Sequence, residues 1–347
     1  MTKNDHLPSN AFYAPTLLPV IEELLGRGVT PERIEEQFRR SLFELRTPFV
    51  RVPLFLSRRF WAFAETAAGE AHIGLRARRF ASTQTNGLTY LCEVAPSLQA
   101  ACGYFVEYFP FFSGHLRAEL RRDGAGVELL LLEQGSLRCP LQARDYTLGG
   151  ICNLLRRKLR LGGGNLDPIL SIALPCAEPS SSAAYHEALG VPLRWGAPCT
   201  AIRLDPQLFS RELVPASPML ESTLVGLLEQ ARASTQATLL EEACDHIVRE
   251  LPAGASFQSF CSARHLTERT AARRLLAQGW RYSELVDEYR RYRAIDLLAE
   301  SGLGLAEITD LLGYGDLQSF SRAFFRWHGC TPGVWREMSG GAEISGG

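Results

Sequence analysis

Lysine is almost missing from this chain. Of 37 basic residues among 347, only Lys3 and Lys158 are lysine, and the rest are arginine. A GC-rich coding bias would produce that skew; guanidinium groups also suit bidentate contacts to phosphate and guanine. The formal net charge is −1, so the overall balance speaks neither for nor against a polyanionic partner. The opening stretch, MTKNDHLPSNAFYAPTLLPV, lacks a basic segment followed by an apolar one and does not read as a secretory leader. No uncharged apolar run approaches the roughly 18 residues that a membrane span needs. The nine cysteines are scattered singly, odd in number and without a CxxC. That fits reduced, mostly buried thiols in a cytoplasmic protein and not a disulfide framework.

Catalytic signatures are equally scarce. There is no GxSxG nucleophile elbow and no GxxxxGK[ST] phosphate loop. LGGGN, beginning at Leu161, lacks the spacing and the following lysine, and reads as a flexible loop. Cys139, in RCPL, is a candidate reactive thiol with no histidine nearby in sequence. His72, His115 and His186 stand alone. Cys261 and His265 lie four apart on one helix, but two ligands do not make a metal site. No catalytic residue, cofactor or metal is assigned on these grounds. A hydrolytic or thiol-dependent enzyme fused to a second module is the alternative reading.

What is present has two textures, and the length suffices for two domains. The expected fold class is α+β. Residues 1–232 read as a mixed α/β domain, 233–238 as a linker, 239–338 as an all-α domain, and 339–347 as a disordered tail rich in glycine and serine. In the first part, LLPVIEELLGRGV and RVPLFLSRRFWAFAETAA read as helices. SLQAACGYFVEYFPFF reads as a helix closed by Pro110. HLRAELRRDGAGVELLLLE reads as two strands around a DGAG turn, and ILSIALP and PLRWGAPCTAIRLD supply further strand candidates. The aromatic run Tyr104, Phe105, Tyr108, Phe109, Phe111 and Phe112 reads as a core helix packed inward, with a ligand pocket as the competing reading.

The segment LGLAEITDLLGYGDLQSFSRAFFRWHG reads as helix, tight turn, helix. Ile308, Leu311 and Leu312 would give the first helix its buried side, and Gly313 would permit the turn. Asp316 can cap the second helix. Leu317, Phe320, Phe324 and Trp327 would form an inward stripe, leaving Gln318, Ser319 and Arg322 on another side. Gln can pair with adenine and Arg with guanine in a major groove. FQSFCSARHLTERTAARRLLAQG repeats the scheme, with Thr267 as cap, Leu275 and Leu276 inward, and Arg269, Ala272 and Arg273 on one face. YSELVDEYRRYRAIDLLAES joins the two units; Glu284 to Glu300 would span about 25 Å as a helix. With the flanking helices, such a strut could hold two recognition helices one DNA turn, about 34 Å, apart. Between residues 254 and 338, eleven arginines meet ten carboxylates, so any DNA-facing charge must be segregated on one side.

Gly313, Tyr314, Asp316, Ser319, Phe320, Arg322, Phe324, Trp327, Gly329, Thr331 and Pro332 together resemble the signature of the AraC/XylS family of bacterial transcription regulators. The resemblance covers about residues 239–338 and implies a two-lobed DNA-binding domain whose recognition helices enter successive major grooves of promoter DNA. By position it places base contacts on Arg269, Ala272 and Arg273 in the first unit, and on Gln318, Ser319 and Arg322 in the second. Arg264 and His265 stand where the first unit usually has leucine and glycine, and Ala271 where a larger apolar residue usually packs. HIGLRA, NGLTYLCEVAPSLQAACGYFVEYF and YHEALGVPLRW resemble the arabinose-binding-like sensor domain of the branch with ornithine-utilisation and quorum-sensing regulators. That name implies no sugar; it implies a module that senses a small-molecule effector, dimerises, or both. The partners implied are double-stranded DNA, a second copy of the chain, RNA polymerase and an effector, with no membrane.

Overall fold

The computed structural model describes residues 10–47, 50–77, 87–123, 126–161, 163, 166–213, 217–299 and 302–344. The chain opens with strand β1 (Ala11–Tyr13), helices α1 (Leu18–Gly26), α2 (Pro31–Phe38) and α3 (Leu42–Leu45), and strand β2 (Arg51–Pro53), which pairs antiparallel with β1. Helix α4 (Leu54–Ala68) follows β2 and stops at Gly69, whose φ of 62° closes the helix in the left-handed region. Then come α5 (Ile73–Ala77), α6 (Gly87–Val94) and α7 (Leu98–Phe112).

Strands β3 (Leu116–Asp123), β4 (Gly126–Glu133), β5 (Ile169–Ala173), β6 (Leu193–Arg194) and β7 (Thr200–Leu204) form one mixed sheet in the order β3-β4-β7-β5-β6. Only β5 and β6 pair in parallel. The period-two rule sends Val127, Leu129 and Leu131 of β4 to one face, where they join the core, and Leu130 to the other. Between and after these strands lie α8 (Leu141–Leu161), α9 (Ser182–Leu189), α10 (Pro206–Phe209) and α11 (Pro218–Ser234). The rest is helical: α12 (Leu239–Glu250), α13 (Phe257–Ala263), α14 (Glu268–Leu276), α15 (Tyr282–Ala299), α16 (Leu305–Leu311), α17 (Leu317–His328) and α18 (Pro332–Ile344). The architecture is α+β, a mixed α/β part followed by a helical part.

Three sequence expectations need correction or restriction. Pro110 does not close α7; the helix continues to Phe112. The proline removes one backbone donor, but Phe111 and Phe112 are buried and hold the last turn in place. The backbone of residues 339–344, expected to lack structure, continues α18 as far as Ile344. The DGAG turn (Gly124, Ala125), most of the LGGGN loop and Glu300 lie outside the described residues.

The hydrophobic cores divide the chain differently from its sequence texture. One core gathers Tyr13 with residues between Leu75 and Ala231, and lies between the five-stranded sheet and α6–α8. The other joins the N-terminal segment, with Leu24, Phe38, Phe55, Phe60 and Trp61, to the C-terminal helices, with Leu240, Phe260, Leu275, Trp280 and Leu297. Polar contacts reinforce that junction. Arg51 pairs with Glu241 at 3.1 Å, both side chains almost wholly buried. Arg58 pairs with Asp296 at 2.8 Å, and the other Asp296 oxygen accepts from the Arg138 backbone N–H at 3.0 Å. Asn10 donates to Asp245 at 2.8 Å. The Arg39 guanidinium lies 3.9 Å from the centre of the Trp280 ring. Breaking one partner from a buried pair leaves an uncompensated charge, so these contacts tie the first 70 residues to the helical part.

Candidate nucleic-acid interface

The helical part contains two units built on one plan. In the first, Ser256 caps α13 by accepting from the Ser259 N–H at 3.1 Å, and Thr267 caps α14 by accepting from the Thr270 N–H at 3.3 Å. The turn between them places His265 at φ 53°, in the left-handed region that favours glycine. Ala271 and Leu275 are fully buried in the same core as Phe260. Arg269, Ala272 and Arg273 are exposed. Leu276, expected inward, is 60% exposed. It lies seven residues after Arg269 and extends their outward stripe, because i, i+3, i+4 and i+7 share a helix face. Arg264 meets Glu242 of α12 at 3.5 Å.

In the second unit, Gly313 sits at φ 66° and a Cβ there would come within 2.0 Å of the Leu251 carbonyl oxygen. Glycine is therefore required twice, by backbone conformation and by close approach. Arg290 of α15 fastens this turn: its Nε donates to the Leu312 carbonyl and its Nη2 to the Gly313 carbonyl, both at 2.8 Å. The same guanidinium lies 4.4 Å from the Tyr314 ring centre. Asp316 caps α17 by accepting from the Ser319 N–H at 2.7 Å, which holds its carboxyl below the ordinary range. Phe320, Ala323 and Phe324 face inward.

Leu311 and Leu317, both expected inward, are exposed by 41% and 44%; Ile308 and Leu312 are buried as expected, and Thr309 and Ala323 take further inward positions. Trp327 is half-buried and donates its indole N–H to Asp287 of α15 at 3.1 Å, while Arg326 pairs with the other Asp287 oxygen at 2.8 Å. Arg290, at the turn before α17, and Asp287, near its C-terminal end, thus lock both ends of that helix to α15.

Gln318 and Arg322 are exposed, four residues apart on the outward side of α17. Ser319 is half-buried, and its hydroxyl is engaged: it donates to Asp316 Oδ2 at 2.8 Å and accepts from Arg322 Nη2 at 3.3 Å. Sequence reasoning missed the exposed apolar neighbours Leu317 and Phe325 on this side. An apolar residue at a helix start carries no signal that separates a core position from a groove-facing one. Each unit therefore presents a capped helix with an outward arginine and a short apolar edge, set on a buried base. Free donors in that arrangement can pair with base edges or phosphates.

Comparison with known proteins agrees with this geometry. Residues 28–213 match the family described as the arabinose-binding domain of AraC transcription regulator, N-terminal, and residues 260–338 match a helix-turn-helix domain family. The chain belongs to the AraC family of transcription regulators. Within it, the chain is 32% identical over 202 residues to the HTH-type transcriptional regulator VirS of Mycobacterium tuberculosis, an alignment covering 58% of each protein. It is 25% identical over 339 residues to the ornithine utilization regulator of Pseudomonas aeruginosa, covering 94% of this chain and 95% of that one. The crystal structure of the transcriptional regulator CdpR from Pseudomonas aeruginosa aligns with a TM-score of 0.45 at 22% identity, over 93% of this chain and 98% of that one. Among the described residues, no helix is long and apolar enough to cross a membrane.

Proposed function

We propose that this AraC-family chain is a cytoplasmic, sequence-specific regulator of transcription that reads two successive major grooves of promoter DNA with α14 and α17. The observation that carries the reading is the pair of capped helix-turn-helix units on α15, each exposing polar side chains away from its core. Base contacts are assigned to Arg269, Ala272 and Arg273 in the first unit and to Gln318 and Arg322 in the second. Ala272 can offer only apolar contact, as to a thymine methyl. Ser319 acts mainly by holding Asp316 and Arg322 in place. The α/β part is assigned to effector sensing or dimerisation, so that an effector favouring one arrangement shifts the population able to bind DNA or meet RNA polymerase.

A catalytic role finds little support at the one thiol considered for it. Burial pushes the Cys139 thiol well above its ordinary pKa, which disfavours the reactive thiolate. The relatives named above are described as regulators.

Selection of bound sequences from random duplex DNA with the full chain, at stated salt, tests the reading. Conserved blocks about one helical turn apart are expected; salt-sensitive binding with no recovered motif would overturn base reading. Arg322→Ala should cost about 1–3 kcal/mol on the selected site and relax base choice at one position. Equal weakening on selected and random DNA would make Arg322 a phosphate contact only.

A further inference from the structure

A cavity of about 160 Å³ lies in the α/β part, walled by Trp61, Phe105, Phe109, Phe112 and Tyr146, with His115 also lining it. Its size resembles that of engineered apolar cavities of about 150 Å³ that admit benzene. Three features of the lining distinguish it from a packing defect.

His115 is 4% exposed, and its Nδ1 lies 3.4 Å from the Leu137 carbonyl oxygen. A carbonyl only accepts, so this contact places the ring proton on Nδ1 and makes Nε2 the acceptor. Nε2 is buried and has no hydrogen-bond partner among the described residues, a costly state unless something donates to it. Secondly, Gly150 lines the cavity from the middle of α8, and a Cβ there would meet nothing within 4 Å. Glycine is among the least favourable residues inside a helix, and no close neighbour demands it here; its effect is to leave room. Thirdly, the cationic side chain in the lining, Arg157, is already paired with Glu93. Among the described residues, the walls therefore present no unbalanced charge.

We infer that this cavity is a binding site for a small neutral aromatic molecule carrying one hydrogen-bond donor, which meets His115 Nε2. The site bears on the regulator reading above, because it would be the effector site; whether it binds such a ligand does not depend on DNA. Helix α4 gives it a route to the DNA-facing helices. Ser57 and Trp61 line the cavity, while Phe55 and Arg58 of the same helix hold Trp280 and Asp296.

Thermal unfolding of the full chain, titrated with phenol and with toluene, tests the inference. Phenol should raise Tm in proportion to the logarithm of its concentration, as for one site on the native state. Toluene, similar in shape but without a donor, should bind about tenfold more weakly. Gly150→Leu should fold at least as stably as the parent and lose the phenol response. His115→Phe should bind phenol and toluene equally. No rise in Tm with phenol, a response that survives Gly150→Leu, or equal binding of the two probes by the parent chain would each overturn the assignment. Since none of these readings uses DNA, failure of the DNA-binding reading would be seen separately in the duplex selection.

Discussion

The junction between α4 and the first helix-turn-helix unit makes a strong demand on how this chain unfolds. Phe55 is 2% exposed and Trp280 fully buried, and their rings meet edge to face with centroids 5.2 Å apart. Phe55 belongs to the N-terminal segment, whereas Trp280 follows α14. Phe55→Ala removes a phenyl ring from a close-packed site, a change that typically costs about 3–5 kcal/mol through lost burial and the cavity left behind. If residues 10–73 and the C-terminal helices were separate domains, that loss would stay on the N-terminal side. Because they share one core, it should appear on both.

Hydrogen exchange resolved by segment provides the assay. Amides of α4, α14 and α15 should all lose protection together, by roughly two to three and a half orders of magnitude in exchange rate for a loss of about 3–5 kcal/mol. Urea unfolding should remain a single transition with a lower midpoint. The reasoning is refuted if α14 and α15 keep the protection of the parent while α4 loses its own. A loss below about 1 kcal/mol would refute it as well, since so small a value means the ring was not packed.

Two further substitutions probe local features. His265→Gly should stabilise the chain by about 0.5–1 kcal/mol in urea unfolding, because a side chain in the left-handed region costs roughly 1–2 kcal/mol and glycine returns part of that as unfolded-state entropy; destabilisation would mean the His265 side chain holds the turn. Burial, reinforced by Arg58, lowers the His115 pKa to about 3 from its ordinary 6.5. The folded chain keeps His115 neutral while the unfolded chain protonates it below about pH 6.5. Its contribution is therefore complete above that pH, and stability should fall by about 2 kcal/mol between pH 7.5 and pH 5. His115→Phe should remove that part of the slope, and an unchanged slope in the variant would show that other groups set it. Gly313→Ala should cost at least about 2 kcal/mol, from left-handed strain together with the clash against Leu251, and weaken DNA binding; a near-neutral effect in urea unfolding would mean the turn can relax.

The second helix-turn-helix unit was legible because its determinants are local. A glycine that must turn, an aspartate three residues before the N–H it caps, and aromatic residues at helical spacing all act within one stretch of chain. The buried face was read less well, and the misses share a cause. Leu276, Leu311 and Leu317 each lie at the end of a short helix, where periodicity gives no means of telling the last inward position from the first outward one. Neighbouring residues differ by about 100° around a helix, so an error of one position is enough to carry a side chain from the edge of the core to solvent. The shared core was not legible at all. It joins residues more than 200 positions apart, and apolar residues at helical spacing announce that a face will be buried without naming what buries it. The aromatic run of α7 proved to serve several purposes. Phe111 is core, Tyr104 and Tyr108 donate to Glu221 and Glu229 of α11 at 2.8 and 2.9 Å, and Phe105, Phe109 and Phe112 wall the cavity.

The two helix-turn-helix units share one core with the N-terminal segment, but the second is also fastened to α15 by polar contacts, and that arrangement bears on how a signal could reach DNA. The first is embedded in the core that also holds α1, α2 and α4, through Ala271, Leu275 and Trp280. The second enters the same core through Ile308, Leu312, Phe320 and Phe324 and is also fastened by Arg290 and Asp287 on α15 and by the Leu251 turn. Helix α15 is in turn fixed to α4 at Asp296, near its C-terminal end. A small shift of α4 would therefore move the base of the first unit and the end of the strut carrying the second. Packed cores do not deform continuously; they favour discrete arrangements, so such a shift would alter the relative placement of α14 and α17 rather than loosen either one. Under the proposed reading, two helices that meet successive grooves tolerate little error in their spacing. Control acting on that spacing would leave each helix-turn-helix unit intact and still decide whether both can read DNA at once.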